Sequence, residues 1–220
     1  MRVLRISAEF RSQVSTFGFW SALRALAFRA LRPVIDFKVL RAMCISAVTS
    51  GFLEPPPDLN ADFLDRETLR RMTAESKYDL SAEFLEDALA KGDECYAIKD
   101  GDQPAAYGWY AHSPTLMNDG LMVHFDPAHV YMYKGLTLDA YRGRRLHAIG
   151  MTRALAAYRE RGFKGLVTYI ESDNLNSLKS AYRMGYVDFG RVFLIRILGR
   201  VLTFRTPGCT ALGFDVGPPP

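Results

Sequence analysis

The sequence predicts a mixed α/β fold built on a twisted mixed sheet. Three observations carry that expectation. An extended run at 131–138 turns through a basic segment into a helix and then into a β-rich run at 164–171, a right-handed strand–helix–strand unit with a parallel pair. Two further stretches read as hairpins, 94–112 about Asp100-Gly101 and 187–204 about Leu198-Gly199-Arg200. Between them, Asn174 and Gly185 bracket a helix as N-cap and C-terminal left-handed residue.

Taken in order, the chain opens with a basic arm, 1–53. Phe19, Trp20, Leu23, Leu26, Ala27, Ala30 and Leu31 share one side of a helical wheel, Arg24, Arg29 and Arg32 the other, and Pro33 ends it. Residues 17–32 therefore suit an anionic membrane surface, and equally a helix docked on the body or on a second subunit of a homodimer. A first strand is expected at 39–48. Pro55-Pro56-Pro57 marks the boundary to a body at 54–215, followed by a tail at 216–220. In the body, 60–74 reads as a helix, and Ser81 caps a second helix, 82–91, that stops at Gly92. The 113–130 connection is long enough to rim a site.

In the central unit, Tyr131, Tyr133 and Thr137 alternate with Met132, Leu136 and Leu138, as a strand requires. The helix of 144–161 shows apolar residues at helical spacing, and Gly162 stops it. A strand feeding a helix through a turn aims unpaired amides at whatever lies above the helix N-terminus, which favours phosphate. Arg142, Arg144 and Arg145 add positive charge there.

Composition bounds the function. Of 220 residues, 49% are hydrophobic, enough for a full core. Cys44, Cys95 and Cys209 are scattered and odd in number, which argues against a disulfide framework and fits a reducing cytoplasm. The histidines, at 112, 124, 129 and 147, lack metal-ligand spacing, so no metal is expected. No signal peptide is evident, and 42–48 is too short to span a bilayer. A cytoplasmic protein is expected, with peripheral attachment to the inner membrane face through the arm as an alternative. Residues 1–50 hold eight Lys/Arg and two acids, the rest 20 Lys/Arg and 22 acids. The basic balance belongs to the arm, so no nucleic-acid partner is expected. Residues 54–94 carry twelve acids against five bases, a solvated face or an approach favouring cationic amines.

The segment AYRGRRLHAIGM after a strand, and NLNSLKSAYRMGY after the next strand, resemble in order the two signatures of the GCN5-related N-acetyltransferase superfamily. The resemblance covers about 60–205. It implies an acyl-CoA N-acyltransferase-like sheet of six to seven strands with helices on both faces and a splayed central parallel pair. It also implies acetyl-CoA or another acyl-CoA as co-substrate and a small-molecule or lipid amine as acceptor. Carried over residue by residue, the carrier would meet Leu136, Thr137 and Leu138 on the splayed strand. It would meet Arg142, Gly143, Arg144, Arg145, Leu146 and His147 at the diphosphate turn, and Asn174 and Ser177 at the second motif. Arg145 and His147 stand where the family has glycines. Its usual general-acid tyrosine falls on Ala181, one residue before Tyr182.

The implied reaction is direct attack of a neutral amine on a thioester, without a covalent enzyme intermediate. Glu171, ending its strand three residues before Asn174, is the candidate base, or else a cap or ion-pair partner. Tyr182 is the candidate acid, or else a packing residue. Tyr131, Tyr133 and His124 are second-line candidates, as bases or acceptor-pocket walls. A catalytically weak acyl-CoA-binding module is the alternative from another class.

Overall fold

A computed structural model describes residues 35–117 and 120–219, with the side chain of Ile35 excepted. The expected amphipathic helix at 17–32 lies outside the described residues. The chain divides into two compact units, of which the larger comprises 39–193 and 204–220.

The strands are β1 (Ile35–Ile45), β2 (Asn60–Phe63), β3 (Glu94–Asp100), β4 (Gln103–Ala111), β5 (Thr115–Leu116), β6 (Met122–His124), β7 (Val130–Thr137), β8 (Leu166–Glu171), β9 (Val187–Ile197), β10 (Arg200–Arg205) and β11 (Asp215–Gly217). The α-helices are α1 (Arg66–Thr73), α2 (Ala82–Lys91), α3 (Leu146–Glu160), α4 (Leu175–Met184) and α5 (Pro207–Ala211). The main sheet has eight strands in the order β10-β9-β1-β8-β7-β4-β3-β2, one more than the upper expectation. The β7–β8 pair is parallel, as the strand–helix–strand unit requires, and β1 runs antiparallel to β8 with Leu40 opposite Glu171. A Cβ at Gly165 would collide with the Ile45 carbonyl, so only glycine lets β1 approach the start of β8 this closely.

Two cores flank the sheet. On one face α3 and α4 bring Met151, Ala154, Leu155, Tyr158, Leu178 and Met184 onto Met43, Tyr110, Val130 and Leu166. On the other, Leu69 and Met72 of α1 and Leu85 and Ala88 of α2 pack on Cys95, Ala97, Tyr107 and Trp109. Helices thus cover both faces, as expected of this class.

Three expectations need correction. Residues 60–74 are not one helix: 60–63 pair with β3, Asp65 accepts the Thr68 amide at 2.8 Å as N-cap, and α1 starts only at Arg66. Alternating exposed and half-buried side chains at 60–63 follow the period of a strand. The 113–130 connection is not structureless, since β5 and β6 join β11 in a second sheet. The same pairing takes Val216 and Gly217 out of the expected tail, opposite Val123 and Met122.

The smaller unit comprises, among the described residues, 35–38 and 194–203. Within it β9 turns into β10 through Leu198 and Gly199, both at positive φ (50° and 79°).

Candidate functional site

The site begins where β7 and β8 part. Their ladder pairs Val130 with Leu166 and Tyr131 with Val167. One step further the Thr168 hydroxyl donates to the Met132 carbonyl at 2.9 Å, a buried side-chain tie in place of a ladder bond. Beyond it β7 stays paired with β4 up to Thr137, while β8 stays paired with β1 up to Glu171. The fork between them is the splay the sequence implied.

The chain leaves β7 through a 3₁₀ turn at Asp139–Tyr141, passes Gly143 (φ 82°) and Arg145 (φ 60°), and enters α3. Two expected contacts fall away here. The Leu138 amide donates to the Ala105 carbonyl and the Arg142 amide to the Asp139 carbonyl, so neither N–H can serve a ligand. The Arg142 guanidinium pairs with Asp139 at 2.8 Å. Arg144 grips both oxygens of Asp58, at 2.9 and 2.8 Å, and holds that carboxyl below its usual range.

The amides of Gly143 through Ala148 are different. Among the described residues they donate to no protein acceptor. The first turn of α3 holds no acid, and Arg145 at the N-cap makes no side-chain cap bond. A fifteen-residue helix thus presents its positive end uncapped. Arg145 is exposed and, of the three arginines, the one without an ion pair among the described residues. Its left-handed backbone explains why a glycine would suit this position. His147, at the other glycine position, lies against β7. A Cβ on Gly135 would come within 2.9 Å of the His147 Cε1, so a glycine across the interface makes room for the ring. Burial pushes the imidazole pKa down, favouring its neutral form.

At the second motif the Asn174 Oδ1 accepts the Ser177 amide at 3.1 Å and caps α4. Glu171 ends β8 half-buried, and its carbonyl accepts the Asn174 amide. Strand alternation puts Glu171 on the same face as Tyr169. The Tyr169 ring stacks on Tyr131 (6.4 Å), and Tyr131 stacks on Tyr133 (5.9 Å) and lies 5.5 Å from Phe125. One branch of the fork thus carries a carboxylate beside an aromatic wall. His124 lies in β6, opposite Asp215 of β11.

Ala181 is buried in the α3–α4 core (2% exposed), which leaves no hydroxyl at the family's tyrosine position. Tyr182 points elsewhere. Its hydroxyl accepts from Arg41 Nη1 at 2.9 Å and donates to Asp188 at 3.0 Å, residues of β1 and β9, beyond β8 from the fork. Arg41, Leu175, Leu178, Lys179, Tyr182 and Arg183 line an open groove of about 500 Å³ there.

Sequence reasoning missed one cluster. The Asp93 side chain is fully buried, and its Oδ2 accepts the Tyr133 hydroxyl at 2.8 Å and pairs with Lys91 at 2.9 Å. Lys91 also donates to Thr115 at 2.7 Å and sits over the Tyr133 ring. Burial pushes the Asp93 pKa up against the pull of Lys91 and Tyr133. Asp93 follows the helix-stopping Gly92, so it reads in sequence as an ordinary loop acid.

No helix among the described residues is long and apolar enough to cross a membrane. None of their His, Cys, Asp and Glu side chains gather in threes as a metal would need.

Solved structures of related fold include a GNAT-family protein from Novosphingobium aromaticivorans (17% identity, TM-score 0.51, covering 74% of this chain and 66% of that one). A GCN5-related N-acetyltransferase-like protein from Streptococcus suis gives 15%, 0.52, 83% and 68%. A GNAT-family acetyltransferase from Colwellia psychrerythraea gives 12%, 0.50, 82% and 61%. The chain thus spans about two thirds or less of these proteins' lengths, and identities this low speak for the fold alone. No curated protein matches the sequence. The sequence profile of the Acetyltransferase (GNAT) family matches residues 59–186, from the strand before β2 through the end of α4, which is more than half of the chain and contains both motifs. The chain therefore belongs to the GNAT acetyltransferase family.

Proposed function

We propose that this protein is an acyl-CoA-dependent N-acyltransferase that moves an acetyl or longer acyl group to a primary amine. One observation carries the reading: the uncapped start of α3, with the unspent amides of 143–148 and the unpaired Arg145, stands at the end of the strand that leaves the β7–β8 fork. That end suits a diphosphate, through amide donation and the helix dipole, with Arg145 as a charge-assisted contact. Of the residues implied by the resemblance, Gly143, Arg144, Arg145, Leu146 and His147 keep free amides. Leu136 and Thr137 offer the strand edge on which amides would align and polarise the thioester carbonyl. Asn174 and Ser177 shape the start of α4.

In the reaction the amine nitrogen forms a bond to the acyl carbon while the carbon–sulfur bond breaks and the pair leaves with sulfur. Glu171, directly or through water, accepts the proton the amine gives up. With alanine at 181 and the Tyr182 hydroxyl held by Arg41 and Asp188, the leaving thiolate takes its proton from solvent. The aromatic wall of Phe125, Tyr131, Tyr133 and Tyr169 beside Glu171 favours an amine with an apolar or cationic body. The lipid-amine version is favoured by the basic aromatic sequence of 17–32.

Isothermal titration with CoA and acetyl-CoA, followed by thiol release against a panel of amines, tests the proposal. Binding that Arg145→Glu weakens at least tenfold is expected. Absence of CoA binding overturns the reading, and binding without turnover on any amine supports the acyl-CoA-binding module instead.

A further inference from the structure

Charge and apolar exposure concentrate at one end of the chain's fold. The smaller unit's hairpin segment, 194–203, carries Arg196 and Arg200 and no acid, whereas 39–193 and 204–220 together hold 19 Lys/Arg against 22 Asp/Glu. In the same unit Leu198 is 80% exposed, Phe37 57% and Leu202 49%.

Leu198 is the informative residue. The two residues between β9 and β10 both have positive φ, the pattern of a type I′ turn, which favours Asn-Gly. Leucine is strained in that conformation and has no polar side chain to offset it. The turn does not want a leucine, and packing does not use one, since the side chain is the most exposed large apolar group among the described residues. Arg200 follows Gly199 directly, so a cation flanks the apolar tip.

Three occupants could use this surface: the chain's own first 34 residues, a second copy, or an anionic membrane. Residues 1–34 contain six Lys/Arg against one acid and lead directly into β1 of this unit. They share the sign of the hairpin, as a second copy's hairpin would. Like charge opposes either as the cover, and an anionic surface satisfies both segments.

We infer that the β9–β10 hairpin is a membrane-docking element: Leu198 and Leu202 enter the acyl boundary of an anionic bilayer while Arg200 takes its headgroups. The inference stands apart from acyl transfer, because none of these residues belongs to the α3 site.

The test is co-sedimentation of the full-length protein with phosphatidylcholine vesicles, with and without phosphatidylglycerol. Retention on the anionic vesicles alone is expected. Leu198→Asn should weaken it by about tenfold and Arg200→Gln by about fivefold. Asn suits the turn, so the thermal midpoint of Leu198→Asn should hold or rise, which separates lost docking from misfolding. CoA affinity should not change in either variant. Three results overturn the inference: no retention on either vesicle, retention that Leu198→Asn leaves intact, or a concentration-dependent dimer that Leu198→Asn dissolves without any vesicle binding.

Discussion

Glu94 clamps the C-terminal end of α3, and its removal should loosen the helix whose other end forms the candidate site. Its carboxylate takes both contacts of Arg161, at 2.9 and 2.8 Å, and meets His112 at 3.0 Å. Arg161 in turn covers the Phe63 ring at 4.4 Å. His112, and then Arg161, hold the Glu94 pKa at about 2, against an ordinary 4.5. A shift of that size corresponds to about 3 kcal/mol of preference for the ionised form in the folded state. The side chain is 32% exposed, so solvent screening brings the expected contribution down to about 1–2 kcal/mol. A folded pKa below the unfolded one means that this stability is complete above the unfolded pKa. It is lost as pH falls from about 4.5 through about 2. Glu94→Gln should therefore lower the unfolding free energy by about 1–2 kcal/mol at pH 7, with the gap closing towards pH 2. Urea unfolding followed by tryptophan fluorescence at several pH values reads both quantities. A gap that is absent at pH 7, or that stays constant down to pH 3, refutes the reasoning.

Other perturbations address the site itself. Arg145→Gly should relieve a left-handed arginine and change stability by no more than about 1 kcal/mol, while weakening CoA binding about fivefold, by thermal melts and titration calorimetry. Glu171→Gln should lower kcat by about a hundredfold with little change in CoA affinity, and Tyr182→Phe should leave kcat within about twofold, by steady-state thiol release. The reverse ranking would move the proton chemistry to Tyr182. Gly135→Ala should cost about 1–3 kcal/mol, because the new methyl meets His147 and Met132, both at 2.9 Å. Combining it with His147→Ala should recover part of that loss, by chemical denaturation.

Much of this fold is written locally. Asp100-Gly101, Ser81, Asn174, Gly92 and Gly185 occupy the turn and cap positions their chemistry suits, so the hairpin and helix limits follow from short stretches. The position of β1 does not, because its pairing with β8 joins residues far apart in sequence and leaves no local mark. Asn60–Phe63 misleads because four residues of strand run into an apolar helix, and the Asp65 cap is the only break. At the site, the strand–turn–helix and its free amides are legible from the arginine-rich turn. The spending of the Leu138 and Arg142 amides is not, since it depends on the neighbouring Ala105 and on the tightness of the turn. The Asp93 cluster is equally hidden: Lys91, Asp93, Thr115 and Tyr133 meet only once three strands and a helix are in place.

β1 lies between β8 and β9 in the finished sheet. A ribosome delivers its partners last: more than a hundred residues separate β1 from β8, roughly ten seconds of synthesis. Throughout that interval Leu40, Ala42, Met43 and Ile45, all buried in the native protein, have no sheet to join. The central slot cannot close before β8 emerges, so the carrier fork is completed late in folding. Any truncation upstream of Leu166 leaves an apolar strand with both edges open, the form most prone to pair with another chain.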